Sequence, residues 1–388
     1  VEADPRDGEG LQDGQRQPVG AVDHDDELRG RRVGEDGVDQ DGQTLGSPDR
    51  GDDHRRPGPK VLFVAWGAVA GRSSELAEAA GGEAVCYFAP GGRRPPVLVR
   101  WARSAVATVG RIGRDRPDVV VVTNPPAFAG LVAWAAGRVV GARLVLDSHP
   151  GGFGAQGDRV AARLQWLHRW LVRRSDLTLV AAAEWAGRVE AWGGRALVVH
   201  EAPGDWRYST PHRHDRLRVL YVGRFAPDEP WQAVLDAARL VPGCDVLVTG
   251  EPERAHLDPA AVPDNVTLVG FLDPVAYAAA VGEADVVLTL TTEPGSVMRA
   301  AYEAVWAGRP LIVSDWPVGR DLFPYAVHVA GDARSVAGGL ARADRHFARM
   351  AADGPAARDL QLSRWEAQRR ALRRALGTDP PQVVIGPS

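Results

Sequence analysis

Lysine is all but missing from this chain: Lys60 is the only one among 46 basic residues, the rest being arginine. The planar arginine fork grips phosphate or carboxylate in a bidentate way, which points towards anionic ligands, although an arginine-rich genome would produce the same bias. Cysteine is as scarce. Cys86 and Cys244 lie far apart in otherwise apolar stretches. That excludes a disulfide framework and a cysteine metal cluster, and makes a reducing cytoplasm the expected setting. Long apolar runs are missing too. The greasiest stretch, Val119 to Leu146, is interrupted by Asn124, Pro125, Pro126, Arg138 and Arg143. No segment is therefore expected to span a bilayer, and no charged-then-apolar signal opens the chain. After Lys60 no Asp-x-Asp occurs, which disfavours a diphosphate held by a metal; neither a metal nor another cofactor is expected.

Residues 1–59 lack aromatic side chains altogether and carry 16 acidic against 8 basic residues. A segment so poor in apolar surface cannot offset the entropy of ordering its backbone, and the expectation is a disordered stretch, either a spurious leader or an acidic tail. The remainder is different. With 388 residues, 45% hydrophobic content and 12 tryptophans, the chain can fill two cores.

From Lys60 onwards short β-branched runs alternate with longer Ala/Arg/Leu stretches of helical period, the pattern of βαβ units around a parallel sheet. One series runs Lys60-Val64, Val119-Thr123, Leu144-Asp147, Leu177-Val180 and Leu197-Val199. A second runs Arg218-Val222, Asp245-Thr249, Val266-Val269, Asp285-Leu290, Pro310-Val313 and Ala326-Val329. Between them, Glu201 to Asp215 has no apolar period and reads as a linker. The fold class is α/β with two Rossmann-like halves. Helical patterns at Ser335 to Met350 and, after a break at Pro355, Arg358 to Leu376 close the chain.

Ligands of open parallel sheets collect at the carboxyl ends of strands, so the loops there are the candidate sites. The first strand runs into a glycine-bearing loop whose Gly71, Arg72 and Ser73 open a helix, without the third glycine or the acidic strand end of a dinucleotide fingerprint. His149, in Asp147-Ser148-His149-Pro150-Gly151-Gly152, should face the crevice; the bland alternative is a loop histidine bonded to backbone. Gly223 permits close backbone approach and Arg224 can reach a phosphate, or merely pair with Asp228. The strongest element is the loop Thr291-Thr292-Glu293-Pro294-Gly295-Ser296 followed by a helix expected over Val297 to Ala307. Its start would aim the N–H groups of residues 295 to 298 at a diphosphate. Glu303, among small and apolar neighbours on that helix, needs a partner, which ribose hydroxyls would supply; a solvated helix face is the alternative.

Taken together, these residues resemble the family 4 retaining glycosyltransferases, over about Lys60 to Leu376. Glu303-Ala304-x-x-x-Gly308-x-Pro310 matches that family's second donor-site glutamate and the turn after its helix, Arg224 its phosphate-binding arginine, and His149 the histidine of its first-domain loop. Where the family carries a lysine and a glycine, this chain has Glu229 and Pro230; where it carries its first donor glutamate, this chain has Gly295, the nearest glutamate being Glu293. Bacterial enzymes of surface-polysaccharide or glycoconjugate synthesis are similar in 226–231, Val248-Thr249-Gly250, Gly270-Phe271-Leu272 and Ser314-Asp315-Trp316-Pro317. The resemblance implies a GT-B fold with an acceptor domain (60–205), a donor domain (206–355) and a final helix (356–377) returning to the first. It implies metal-independent transfer of a sugar, with retention, from a nucleoside-diphosphate sugar to a glycan, lipid-linked or small-molecule acceptor.

On that reading His149 and Arg224 are catalytic; Gly223, Arg224, Gly250, Phe271, Thr292, Glu293, Gly295, Ser296, Val297 and Glu303 bind the donor; and Gly71, Arg72 and Ser73 form an acceptor loop. No nucleic-acid partner is indicated. The Arg-rich stretches Arg93 to Arg116 and Arg159 to Arg174 are candidates for peripheral contact with the inner face of a membrane, or ordinary solvated helix faces. The other readings left open are a sugar-nucleotide-binding protein without transfer activity and a sugar-nucleotide epimerase of the same architecture.

Overall fold

A computed structural model describes residues 58–67, 71–87, 96–154 and 162–379. The segment expected to be disordered lies outside these except for its last two residues. Six parallel strands build the first half: β1 (Val61–Ala65), β2 (Glu83–Cys86), β3 (Val119–Asn124), β4 (Arg143–Ser148), β5 (Leu177–Val180) and β6 (Ala196–Val198). Their order is β2-β1-β3-β4-β5-β6. Strand β2 is absent from the sequence expectation because it is an edge strand, with Glu83 and Cys86 exposed and one β-branched residue, Val85, to signal it.

Helix α1 (Gly71–Ala80) covers one face of this sheet, and α2 (Val97–Asp115), α3 (Ala127–Val140), α4 (Gln165–Val172) and α5 (Ala183–Ala191) cover the other. The two faces alternate along each strand, as a pleat requires: Leu62 and Val64 join the core under α2 to α5, Val61 and Phe63 the core under α1.

The second half repeats the scheme with β7 (Leu217–Tyr221), β8 (Cys244–Thr249), β9 (Val266–Gly270), β10 (Val286–Thr289), β11 (Leu311–Ser314) and β12 (Val327–Val329). Their order is β12-β11-β10-β7-β8-β9. Its helices are α6 (Trp231–Leu240), α7 (Pro274–Glu283), α8 (Arg299–Trp306), α9 (Pro317–Leu322), α10 (Ala333–Arg345), α11 (Phe347–Ala352) and α12 (Gly354–Leu376). Pro355 opens α12 rather than breaking a helix, since proline lacks the N–H that a first turn leaves unused. That last helix crosses back: Trp365, Leu372 and Leu376 are buried against Val61, Phe63 and Leu76 of the first half. Each such side chain contributes about 1.5–3 kcal/mol when fully buried, enough to tie the two halves together. Among the described residues no helix is long and apolar enough to cross a membrane.

In both sheets the chain starts in the interior and reverses its direction of growth, between β1 and β3 and between β7 and β10. Those reversals open crevices at the carboxyl ends of the strands. Contacts between the halves come from those ends. The indole N–H of Trp185 at the start of α5 donates to the Gly295 carbonyl at 2.7 Å, and the Arg299 guanidinium at the start of α8 pairs with Glu75 of α1 and, at 3.4 Å, with Glu201.

One core histidine makes the fold acid-sensitive. His168 of α4 is buried between the Ser148 hydroxyl (3.0 Å) and the Gly152 carbonyl (2.9 Å), beside Phe153 and Trp192. Burial lowers its pKa from the ordinary 6.5 to about 4. Between those values the unfolded chain holds the extra proton, so stability rises with pH. The contribution is complete above about pH 6.5 and falls by up to about 3 kcal/mol as the pH drops towards 4. Urea titrations across this window should show a shallower acid loss for His168→Gln than for the parent; identical slopes would remove His168 from the account.

Candidate functional site

The first crevice is organised around Asp147, which the sequence reading passed over in favour of His149. Asp147 closes β4 and is buried. Its carboxylate takes Nε of Arg72 at 3.2 Å, and its other oxygen lies 3.4 Å from Nε2 of His149. Burial by itself would raise this carboxyl, but the positive charge of Arg72, with His149 adding to it, outweighs burial and holds it far below the usual carboxylate range. The result is a permanently charged group behind a half-exposed imidazole. His149, 37% exposed at its side chain, follows β4 at the carboxyl end of the strand and sets its Nε2 beside the Asp147 carboxylate.

Arg72 corrects the acceptor-loop expectation. Gly71, Arg72 and Ser73 form the first turn of α1, and Arg72 is buried, not presented to a ligand. Besides Asp147 it donates to the carbonyls of Val199 (2.7 Å) and His200 (3.0 Å) and to Glu201 (3.0 Å). With Nε and both terminal nitrogens committed to protein acceptors, its role is structural, and it joins β4 to the segment leaving the first half. Ser73 bonds Thr123 at 2.8 Å, and Gly71 lies against the Arg299 guanidinium.

The second crevice, between β7 and β10, depends on two glycines. At Gly250, whose φ is +107°, a Cβ would lie 2.7 Å from the Gly223 carbonyl oxygen and 2.8 Å from Cα of Arg224. At Gly223 it would meet the Tyr221 ring at 2.8 Å. Backbone therefore packs on backbone at the ends of β7 and β8, helped by the Thr249 hydroxyl, which accepts from the Gly223 N–H at 3.1 Å.

Above this floor stands Arg224, with a side chain 65% exposed. Its carboxylate neighbour is Glu229, 3.9 Å from Nε, and not the Asp228 that the sequence suggested. Glu229 is buried and works mainly on backbone, accepting the N–H groups of Arg224 (2.7 Å) and Ala226 (3.1 Å). A carboxylate at this position thus stabilises the turn that carries Arg224, a role no lysine could play because an ammonium has no acceptor. Phe271, at the far end of β9, is 79% exposed.

The loop from β10 to α8 lies across from these groups. Thr292 donates from its N–H (2.8 Å) and hydroxyl (3.2 Å) to the Asp228 carbonyl, which clamps the two loops together. The helix starts two residues later than expected, at Arg299. The Ser296 N–H instead closes a turn on the Glu293 carbonyl at 3.1 Å, so of residues 295 to 298 that donor is already committed, and the helix's own unpaired donors begin at its N-cap, Met298. The Ser296 hydroxyl is buried without a hydrogen-bond partner, in a small cavity shared with Val297, Thr291, Ser314 and Trp316. Gly295 has a spatial explanation: a Cβ there would lie 2.5 Å from a carboxylate oxygen of Glu184, at the start of α5 in the other half.

Glu303 is buried, and its partners come from the protein. One oxygen accepts from Nε of Arg299 at 2.8 Å and the other from the Tyr277 hydroxyl at 2.6 Å. Burial first, and the neighbouring Glu303 charge second, push the Tyr277 phenol far above its usual range, so it stays a donor. Each carboxylate oxygen still has a lone pair for a further donor. Arg299 and Tyr277 escaped the sequence reading, since only i to i+4 spacing on one helix hinted at Arg299 and nothing local pointed to Tyr277 on α7.

Residues 52–205 match the family model described as a glycosyl transferase 4-like domain. A comparison with curated proteins finds no match. Among solved structures, the chain is similar to Anabaena Alr3699/HepE in complex with UDP-glucose, at 14% identity and a TM-score of 0.64, over 83% of this chain and all of that one. It is similar to a sucrose-phosphate synthase from Thermosynechococcus elongatus at 17% identity and a TM-score of 0.66, over 81% and 98% of the two chains. A putative UDP-N-acetylglucosamine 2-epimerase from Listeria monocytogenes follows at 14% and 0.53, over 76% and 91%. What these share with the chain is the fold, two Rossmann-like domains with facing strand ends, which is GT-B.

Proposed function

We propose that this protein is a glycosyltransferase that uses a nucleoside-diphosphate sugar, transferring the sugar with retention to a hydroxyl acceptor in glycan or glycoconjugate synthesis. The observation that carries the reading is the exposed Arg224 guanidinium standing on the two-glycine floor at the β7/β10 reversal. A fixed fork over closely packed backbone suits a diphosphate, whose charge grows as the sugar departs. Glu303, already oriented by Arg299 and Tyr277, is the group for the donor ribose, and Ser296, Val297 and the α8 start lie on the diphosphate side. His149, at the carboxyl end of β4 in the first domain and backed by the charged Asp147, is suited to hold or take a proton at the transferred sugar or the acceptor. Thr292, Glu293, Gly250 and Phe271 frame the donor side. Metal independence belongs to this proposal, with Arg224 carrying the charge that a cation carries elsewhere. The match of residues 52–205 and the UDP-glucose complex of Alr3699/HepE support the reading.

A thermal-shift screen against nucleoside diphosphates and their sugars tests it. A ligand at 100 times its dissociation constant should stabilise the chain by about 2.7 kcal/mol, and the donor so found should be consumed faster once acceptor hydroxyls are supplied. Silence towards every nucleotide would defeat the proposal. Conversion of the bound sugar without any acceptor would favour an epimerase, and binding without turnover a sugar-nucleotide-binding protein.

A further inference from the structure

Helix α2 carries apolar side chains on two faces, one towards the sheet, where Trp101, Ala105 and Ile112 pack on the core, and one towards solvent. Its inward stripe is Ser104, Thr108 and Ile112, and Thr108 accepts the Trp66 indole N–H at 3.0 Å. Its outward stripe, at spacings of four, four and three, is Leu98, Ala102, Val106 and Val109, of which Leu98 is 71% and Val106 75% exposed. A helix on a soluble sheet keeps its outer face polar; this one presents a second apolar stripe there. The neighbouring helices continue the surface, because α2, α3 and α4 cover the same face of the first sheet. Phe128 of α3 packs on Trp101, Val139 is 86% exposed, and Trp166 of α4 is 68% exposed.

The polar residues around this patch are nearly all of one sign. Arg103 and Arg114 on α2, Arg138 on α3 and Arg169 on α4 are exposed, and the only acidic residue of the three helices is Asp115, already paired with Arg111 and Arg114. A second copy applied face to face would set arginine against arginine, since a two-fold contact repeats the same patch on both sides. A bilayer rich in anionic lipid fits both features: acyl chains take the apolar stripe while headgroups meet the arginines, whose stems reach outward from it.

We infer that the outer surface of α2, α3 and α4 is a docking face for a membrane leaflet carrying anionic lipid, with Leu98, Val106 and Val109 inserted at the headgroup boundary. The topology gives this a direction. In a parallel α/β unit a helix that follows a strand begins at the strand's carboxyl end, so Val97 and Leu98 lie on the side of the sheet where the strands end and the crevice opens, the side that also carries His149. Docking would bring that crevice to the lipid surface. The inference rests on the exposed apolar and basic side chains of α2, α3 and α4 and stands or falls apart from the transferase reading.

Co-sedimentation of the full chain with phosphatidylcholine vesicles, with and without phosphatidylglycerol, tests it. The chain should bind the anionic vesicles, less so as salt is raised, and the neutral ones weakly. Val106→Asp should lower partitioning at least about tenfold, as loss of one inserted aliphatic side chain predicts. Arg103→Glu should also lower it, by more at low salt than at high. Melting temperatures should not move, because both side chains point away from the core; Val106→Ser serves if the aspartate variant proves insoluble. Equal binding by parent and variants, or no binding to either vesicle, would overturn the inference. So would a lipid-free dimer, seen by sedimentation velocity, that Val106→Asp dissociates, since a second copy would then cover the face.

Discussion

Arg224→Lys should lose turnover by about a hundredfold or more while melting at the parent temperature, the loss that removal of one preorganised charge-stabilising donor produces. The two halves of that expectation have separate causes. An ammonium keeps the positive charge but not the fork, so it cannot hold two diphosphate oxygens at once as charge builds on the leaving group. Stability is untouched because the side chain is largely in solvent, its contact with the buried Glu229 is long, at 3.9 Å, and lysine keeps a positive charge beside that carboxylate. Glu229 holds the turn through backbone N–H groups that lysine at 224 leaves in place. Steady-state kinetics with the donor identified by the ligand screen, beside melting curves of both proteins, decide the matter. Equal kcat would take Arg224 out of the site and leave the diphosphate without its main cation.

Arg72→Leu should show the opposite profile, a loss of about 3–5 kcal/mol of folding stability. Removing the guanidinium leaves the buried Asp147 carboxylate with only His149 beside it, takes one charge partner from Glu201, and frees two main-chain carbonyls, of Val199 and His200. Breaking a buried pair from one side costs far more than the pair contributes over an apolar replacement, because the remaining charge stays desolvated. The companion change Asp147→Asn in the Arg72→Leu background should recover part of the loss. Urea unfolding of the two single variants, the double variant and the parent measures the coupling. A parent-like midpoint for Arg72→Leu would mean that Arg72 is not the fastener it resembles and would reopen its assignment to an acceptor.

Eleven of the twelve strands stand close to where the runs of Val, Ile and Leu put them, because a strand buried on both faces advertises itself by composition. Strand β2, half exposed at an edge, carries no such signal. The loops at strand ends were legible for a similar reason: glycine, proline and polar residues between apolar runs mark the places where ligands of this fold class collect. The departure at Glu229 was visible as a substitution, but not its meaning, which depends on a carboxylate folding back onto N–H groups three and five residues earlier.

What the sequence determined by itself, then, is local: the alternation of strand and helix, the division into two halves, and the identity of the loops that end each strand, all set by neighbours within a few residues. Which charges meet was decided only by the tertiary structure. Arg72 and Asp147 are 75 residues apart and Arg299 and Glu75 are 224 apart. An arginine offered to a ligand and an arginine buried against two carboxylates have the same sequence surroundings. Gly295 owes its missing side chain to Glu184 in the other half, and the apolar stripe of α2 could be recognised as outward only once the sheet had fixed which side of the helix lies against it. Periodicity reports that a helix has two unlike faces; the packing of the whole chain decides which of them meets solvent.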